Sequence, residues 1–239
     1  MKNNLLILIV ISSVFYCCGQ VSKSKPATLS KDKEAPKTSD GTETETSINM
    51  YIDSRYLYDD GNGKLITIEN GLPRGGSRYT DPNGEVYGYA IFWTRIINET
   101  DNPIELKIDF LDSYEVPSVP SNYYKMLVLP ELMTIDKVDV FNYGLTDLDS
   151  FLDKNIDKPS TLKRTINPKE SSGFYVVKLS TGPETPVNGG DILRTGLSLK
   201  RQDLFYRVSV YNRQAPPSII IEKEIHCGKI NFKTFEHKK

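Results

Sequence analysis

The densest run of chemistry-bearing side chains is YDDGNGKLITIE, Tyr58 to Glu69. With Gly63 at the sixth place of an EF-hand loop, Asp60 falls third, Asn62 fifth, Leu65 eighth and Glu69 twelfth, all suited to calcium. The first place holds Tyr58 where that loop requires Asp, and LITIE beyond it has the look of strand and not helix. The same residues suit a β-hairpin turn, because Asp-Gly and Asn-Gly supply positions tolerant of positive φ. The hairpin is the expectation, and calcium on Asp60, Asn62 and Glu69 is the alternative.

Other constellations are thinner. His226 and Cys227 are neighbours, but adjacent side chains on a strand point to opposite faces and do not chelate one ion. Cys227 has no partner for an internal disulfide in the mature chain, and a buried, inert thiol is expected there. Ser160-Thr-Leu-Lys163 matches S-x-x-K in form, yet it follows Pro159 and enters a predicted strand where that chemistry needs a helix start. Gly71, Gly75 and Gly76 lack a following amphipathic helix and read as a loop, not a phosphate cradle. No motif calls for a cofactor. Carboxylates are plentiful, so a hydrolase built on a convergent carboxylate pair stays open. Tyrosine is abundant, fourteen residues beside one tryptophan, Trp93. Tyr56, Tyr58, Tyr123, Tyr124 and Tyr143 fall near expected loops or strand ends, where an amphipathic ring can serve a glycan- or protein-binding surface.

These side chains must be held by strands. Ile104, Leu106, Ile108 and Phe110 alternate with Glu105, Lys107 and Asp109, a strand with one wet face. Leu204, Tyr206, Val208 and Val210 repeat the pattern, as do Leu193, Leu197 and Leu199. Phe174–Ser180 and Ser218–Glu224 are β-rich, and Glu85–Ile97 is apolar on both faces, a central strand covered twice. Asp81-Pro-Asn-Gly84 fits a type I turn, and Asn98–Pro103, Asn167-Pro168 and Ala215–Ser218 break the runs. One helix is expected, opening at Thr146–Asp149 with Leu148, Phe151 and Leu152 on one face. The pattern predicts a mainly β fold: an antiparallel β-sandwich of Ig-like type with one short helical insertion, a closed barrel being the alternative.

The N-terminus has a different character. Lys2 precedes an apolar stretch, Leu5–Tyr16. As helix it spans about 18 Å, short of a bilayer core of about 30 Å, so it reads as the h-region of a signal peptide. It ends in Phe15-Tyr16-Cys17-Cys18-Gly19, which resembles the lipobox of bacterial lipoproteins. That family has Leu three before its cysteine and a small residue just before it. For Cys18 these places hold Phe15 and Cys17; for Cys17 they hold Val14 and Tyr16. Cys is small and Tyr is not, so Cys18 is the better match. The resemblance implies diacylation of Cys18, removal of residues 1–17, and attachment by acyl chains, each buried CH₂ adding about 0.8 kcal/mol. Gly19 in place of Asp after the cysteine, and no acidic cluster beyond, imply the periplasmic side of an outer membrane.

Residues 18–49 then comprise the lipidated cysteine and a Ser/Thr/Lys/Glu/Pro tether with almost no large apolar side chain. It cannot offset the entropy of ordering and is expected to stay disordered. Residues 50–239 form a single sandwich domain. A formal net charge of −1 and unclustered basic residues give nucleic-acid binding no support. The expectation is a membrane-anchored, non-catalytic lipoprotein of the cell envelope that binds a protein or envelope polymer. A glycan-binding module using exposed aromatics and a carboxylate-pair hydrolase are the alternatives.

Overall fold

The structure is a computed structural model that describes residues 48–59, 63–111, 113–115, 123–181, 192–212 and 218–232. Twelve strands lie among them: β1 (Ile52–Asp59), β2 (Leu65–Gly71), β3 (Arg74–Thr80), β4 (Val86–Asn98), β5 (Ile104–Phe110), β6 (Tyr114–Glu115), β7 (Tyr123–Leu132), β8 (Ser160–Ile166), β9 (Ser171–Thr181), β10 (Ile192–Lys200), β11 (Asp203–Tyr211) and β12 (Ile219–Phe232). One sheet runs β1-β2-β4-β9-β7-β6, with β3 also on β4, and the other runs β10-β11-β12-β5-β8. Every pairing is antiparallel. The expected antiparallel β-sandwich is what forms.

The period-two segments became strands for the reason they were expected to. In β5 the apolar set Ile104, Leu106, Ile108 and Phe110 is buried, while Glu105 and Lys107 face water. These side chains meet Ile66, Ile68 and Ile96 of the first sheet, and Leu204, Tyr206 and Ile230 of their own, in the core between the sheets. β4 is buried on both faces, as its unbroken apolar run requires. β2 and β3 are successive partners along β4: Ile66–Asn70 face Asn98–Thr94, and Arg74–Thr80 face Ile91–Val86. Leu72 and Pro73 separate them, and proline cannot donate to the ladder.

The outer face of the first sheet carries a further layer. A short 3-10 turn at Ile135–Lys137 and a turn with left-handed backbone at Phe141–Gly144 lead into helix α1 (Leu148–Asn155), the α-helix that lies wholly within the described residues. Its Leu148 and Leu152 are buried and Phe151 half-buried, packed with Tyr143 and Ile156 over Ile91, Trp93, Tyr175 and Val177. Asp147, not Thr146, is the N-cap, and no side chain caps the helix. Asp149 in the first turn and Lys154 in the last complement the helix dipole.

Side chains, not a shared ladder, close one side of the sandwich. The Asn70 amide on β2 accepts from Leu197 N at 2.8 Å and donates to Leu197 O at 3.1 Å. It also accepts from Thr94 Oγ1 and donates to Ser54 Oγ, so all four of its hydrogen-bonding sites are filled. Tyr58 Oη accepts from Leu199 N at 2.8 Å. On the other side, Ser160 Oγ accepts from Val128 N at 2.7 Å and Arg164 donates to Gly173 O at 2.6 Å. Asn98 ties the β4–β5 turn down: its Nδ2 donates to the carbonyls of Asn102, Ile166 and Asn167, while Oδ1 accepts from Thr100.

Candidate functional site

Most chemistry-bearing side chains are committed to structure. β1 and β2 form the expected hairpin, with Asp59 opposite Leu65. Asp60 and Asn62 lie outside the described residues. Glu69 is corrected as a calcium ligand. It is 1% exposed, its Oε1 accepts from Arg55 Nε at 2.9 Å and its Oε2 from Arg95 Nε at 2.8 Å. A calcium ion would meet two guanidinium groups there. Cys18 also lies outside the described residues.

Ser160 is spent on Val128 N, and Lys163, an odd number of residues along the strand, stands exposed on the opposite face. Burial pushes the Cys227 thiol up to about 12, and its Sγ donates to Leu204 O, while neighbouring His226 is exposed beside Asp203. Gly75 and Gly76 belong to strand β3, not to a loop. They mark a bulge between Gly75 and Arg78 and carry φ of 105° and 82°.

The five expected tyrosines do not share a surface. Tyr56 and Tyr58 pack half-buried against the inter-sheet core, and the Tyr56 hydroxyl bonds Arg207. Tyr124 is buried, stacked on Tyr114 with ring centroids 5.5 Å apart, and burial raises its phenol pKa. Tyr143 is buried on the opposite face of the sheet, stacked on Tyr175 at 5.4 Å, with its hydroxyl on Leu72 O. It holds φ at 57°, a conformation costly for a bulky residue and fixed here by the buried ring. Tyr123 alone among the five has a largely open side chain, 47% exposed.

Tyr123 belongs to a different set, assembled by register. Tyr79 on β3 faces Tyr87 on β4, and Tyr87 faces Thr181 on β9. Tyr124 faces Ser180, which puts Tyr123 of β7 beside Thr181. The Thr181 hydroxyl locks that neighbour: it accepts from Tyr123 N at 3.0 Å and donates to Tyr123 O at 3.2 Å. At strand spacings of about 4.8 Å, the Tyr87 and Tyr123 backbones stand about 10 Å apart across β9. Tyr79 anchors the row from behind, stacked on Tyr87 at 6.2 Å with its hydroxyl donating to Asp153 of α1 at 2.7 Å.

Around the row lies a cavity of about 290 Å³ lined by Glu85, Tyr87, Ser113, Tyr123, Lys125 and Thr181. Each wall is built. Asp81 Oδ1 accepts from Asn83 N at 2.9 Å and Glu85 N at 2.8 Å, and Gly84 N donates to Asp81 O, the expected tight turn that delivers Glu85. The Lys125 ammonium donates to Ile156 O at 3.0 Å and Asp157 Oδ1 at 3.1 Å, just past the end of α1. Burial first, then the carboxylates of Asp81, Glu85 and Asp157, raise the Tyr87 phenol, which stays protonated and able to donate. Among the described residues, the Glu85 carboxylate and the hydroxyls of Tyr87, Ser113 and Tyr123 make no hydrogen bond or ion pair. The sequence reading missed Glu85, Tyr87, Ser113, Lys125 and Thr181. Only the turn at Asp81 could have pointed to any of them.

By its fold the chain is an antiparallel β-sandwich with a mostly irregular third layer, and this concavity combines aromatic walls with several polar groups. Comparison with known protein families, with curated proteins and with solved structures finds no match.

Proposed function

We propose that this chain is a lipid-anchored, non-catalytic binding protein of a bacterial cell envelope. Cys18 carries the acyl chains and residues 19–47 serve as the tether, two residues shorter than expected because Ile48 is buried in the outer-face core and Asn49 bonds Arg55. The sandwich meets a protein or envelope polymer at the Tyr87–Thr181–Tyr123 groove. The lipobox-like run at Phe15–Gly19 supports the anchor. No helix among the described residues is long and apolar enough to cross a membrane. The observation that carries the binding role is the contrast in polar bonding. Glu69, Asn70, Asn98 and Ser160 are bonded to structural partners, whereas the Glu85 carboxylate and the Tyr87, Ser113 and Tyr123 hydroxyls in the groove have no hydrogen-bond partner among the described residues.

Two measurements test this. A fatty-acid analogue fed to cells should label the wild type and spare Cys18→Ala, which should leave the membrane fraction; two unlabelled, soluble forms would refute the anchor. A photo-crosslinking residue at Tyr123 should give an envelope adduct in intact cells, and one at exposed Thr165 on β8 should not. Equal yields at the two positions, or none at either, would refute the groove as the contact.

A further inference from the structure

The groove also specifies the class of molecule it takes. We infer that it binds an uncharged saccharide, one sugar ring seated against Tyr123 and Tyr87 with its hydroxyls bonded to Glu85, Lys125 and Ser113. This rests on the binding role proposed above and names the ligand for that same site.

Size comes first. At about 290 Å³ the cavity sits at the lower edge of the roughly 300–1,000 Å³ range of small-molecule sites, room for a ring and its substituents and not for a folded partner. Shape follows from the row of residues. A pyranose has an apolar C–H face and a rim of hydroxyls. Tyr123, 47% exposed, offers its apolar ring to such a face and its polar tip to the edge, while the largely buried Tyr87 contributes only its small exposed part to the wall.

Hydrogen-bonding capacity matches as well. An ionised Glu85 accepts only, and can take two neighbouring hydroxyls at once. Lys125 has three donors, two of them held by Ile156 O and Asp157, leaving one. The Ser113 and Tyr87 hydroxyls can donate or accept. The site is also preorganised: Thr181 fixes the Tyr123 backbone, Asp81 fixes Glu85, and Asp157 fixes Lys125. A ligand therefore meets fixed backbones and an ammonium already in place, and orders the exposed Tyr123 and Glu85 side chains itself.

Charge decides between kinds of saccharide. Lys125 is already paired with Asp157, and Glu85 adds a carboxylate with no cation beside it among the described residues. The groove thus has no spare positive charge for a phosphate, sulfate or uronate. A peptide is also a poorer fit, because β6 pairs with β7 through Glu115 and Tyr123 at this end, occupying the edge an added strand would use.

The test uses the full-length chain purified in a detergent without sugar groups. It is titrated with a neutral hexose disaccharide, an N-acetylhexosamine disaccharide, a uronic acid disaccharide and a short mixed peptide, and binding is read by calorimetry. At least one neutral sugar should bind, and more tightly than the uronate or the peptide. Tyr123→Ala should weaken it about tenfold, the scale of one lost aromatic contact, while Tyr123→Phe retains most of it. Glu85→Gln should weaken it severalfold, and Thr165→Ala should change nothing. The exposure of Tyr123 keeps the fold intact in these variants, and an unchanged melting temperature checks this. Tighter binding of the uronate or the peptide, no binding by any neutral sugar, or wild-type affinity in Tyr123→Ala would overturn the inference. Failure here leaves fatty-acid labelling and the crosslink at Tyr123 untouched, so the saccharide can be lost without losing the anchored binder.

Discussion

Replacing Glu69 with Gln keeps the side chain's shape and removes one charge from the centre of three strands. In register, Arg55 of β1, Glu69 of β2 and Arg95 of β4 stand side by side. Arg55 Nη2 and Arg95 Nη2 each lie 2.7 Å from a different carboxylate oxygen. The side chains are 45%, 2% and 11% exposed for Arg55, Glu69 and Arg95. Solvent screens Arg55, so its pair contributes under about 1 kcal/mol. Arg95 has little such relief. Removing the partner of a buried ion costs about 3–5 kcal/mol, and the lower end applies because Gln still accepts one hydrogen bond. A loss of about 3 kcal/mol in a domain of this size lowers the melting temperature by about 6–12 °C. Thermal denaturation followed by circular dichroism should rank Glu69→Gln well below Arg55→Ala. Adding Arg95→Met to Glu69→Gln should recover part of the loss, because the stranded cation is gone. If Arg55→Ala costs as much as Glu69→Gln, or if Glu69→Gln melts with the wild type, the clamp does not work as described.

Gly71→Ala should destabilise the domain by about 1–3 kcal/mol in urea titrations, because a Cβ there runs into the Trp93 ring. Arg201 sits at φ 62° in the two-residue turn between Lys200 and Asp203, a place suited to glycine, so Arg201→Gly should stabilise by about 0.5–1 kcal/mol. Cys227 should resist a thiol reagent at mild pH until the chain is unfolded. Its folded state favours the neutral thiol, so the stability it contributes is intact below the ordinary 9.0 and is lost as pH rises toward about 12. Burial raises Tyr124, Tyr143 and Tyr206 as well, so phenolate absorbance in an alkaline titration should appear together with loss of the β circular dichroism signal. Phenolates forming gradually well before that loss would contradict the burial.

What the sequence carried was local. Alternation in Ile104–Phe110 and Leu204–Val210 reports burial of one face, and the two-faced run Glu85–Ile97 reports a covered central strand; both appear as read. Leu148 and Leu152 likewise mark the buried face of α1. The misreadings arise where distant partners decide. Glu69 has the right spacing for a calcium loop, but its fate is set by arginines on two other strands. Gly75 and Gly76 look like loop, yet a Cβ on Gly75 would sit 3.0 Å from the Tyr89 ring, so close packing inside a strand explains the glycine. The groove was illegible because it needs the sheet order. Tyr87, Thr181 and Tyr123 become neighbours only when β9 lies between β4 and β7, and no periodicity in one segment encodes that order.

One of the two edge strands of the second sheet, β10, has its outward-pointing amides and carbonyl at Leu197 and Leu199 taken by Asn70 and Tyr58. A bare rim of this kind is where a neighbouring polypeptide zips on and starts a ribbon. Here that stretch of the rim is capped by the molecule's own amide and phenol, so it offers no open ladder to another copy. The seal is only as durable as two side chains: trimming Asn70 would both unfasten the sheets and bare the rim, turning a loss of stability into a tendency to polymerise.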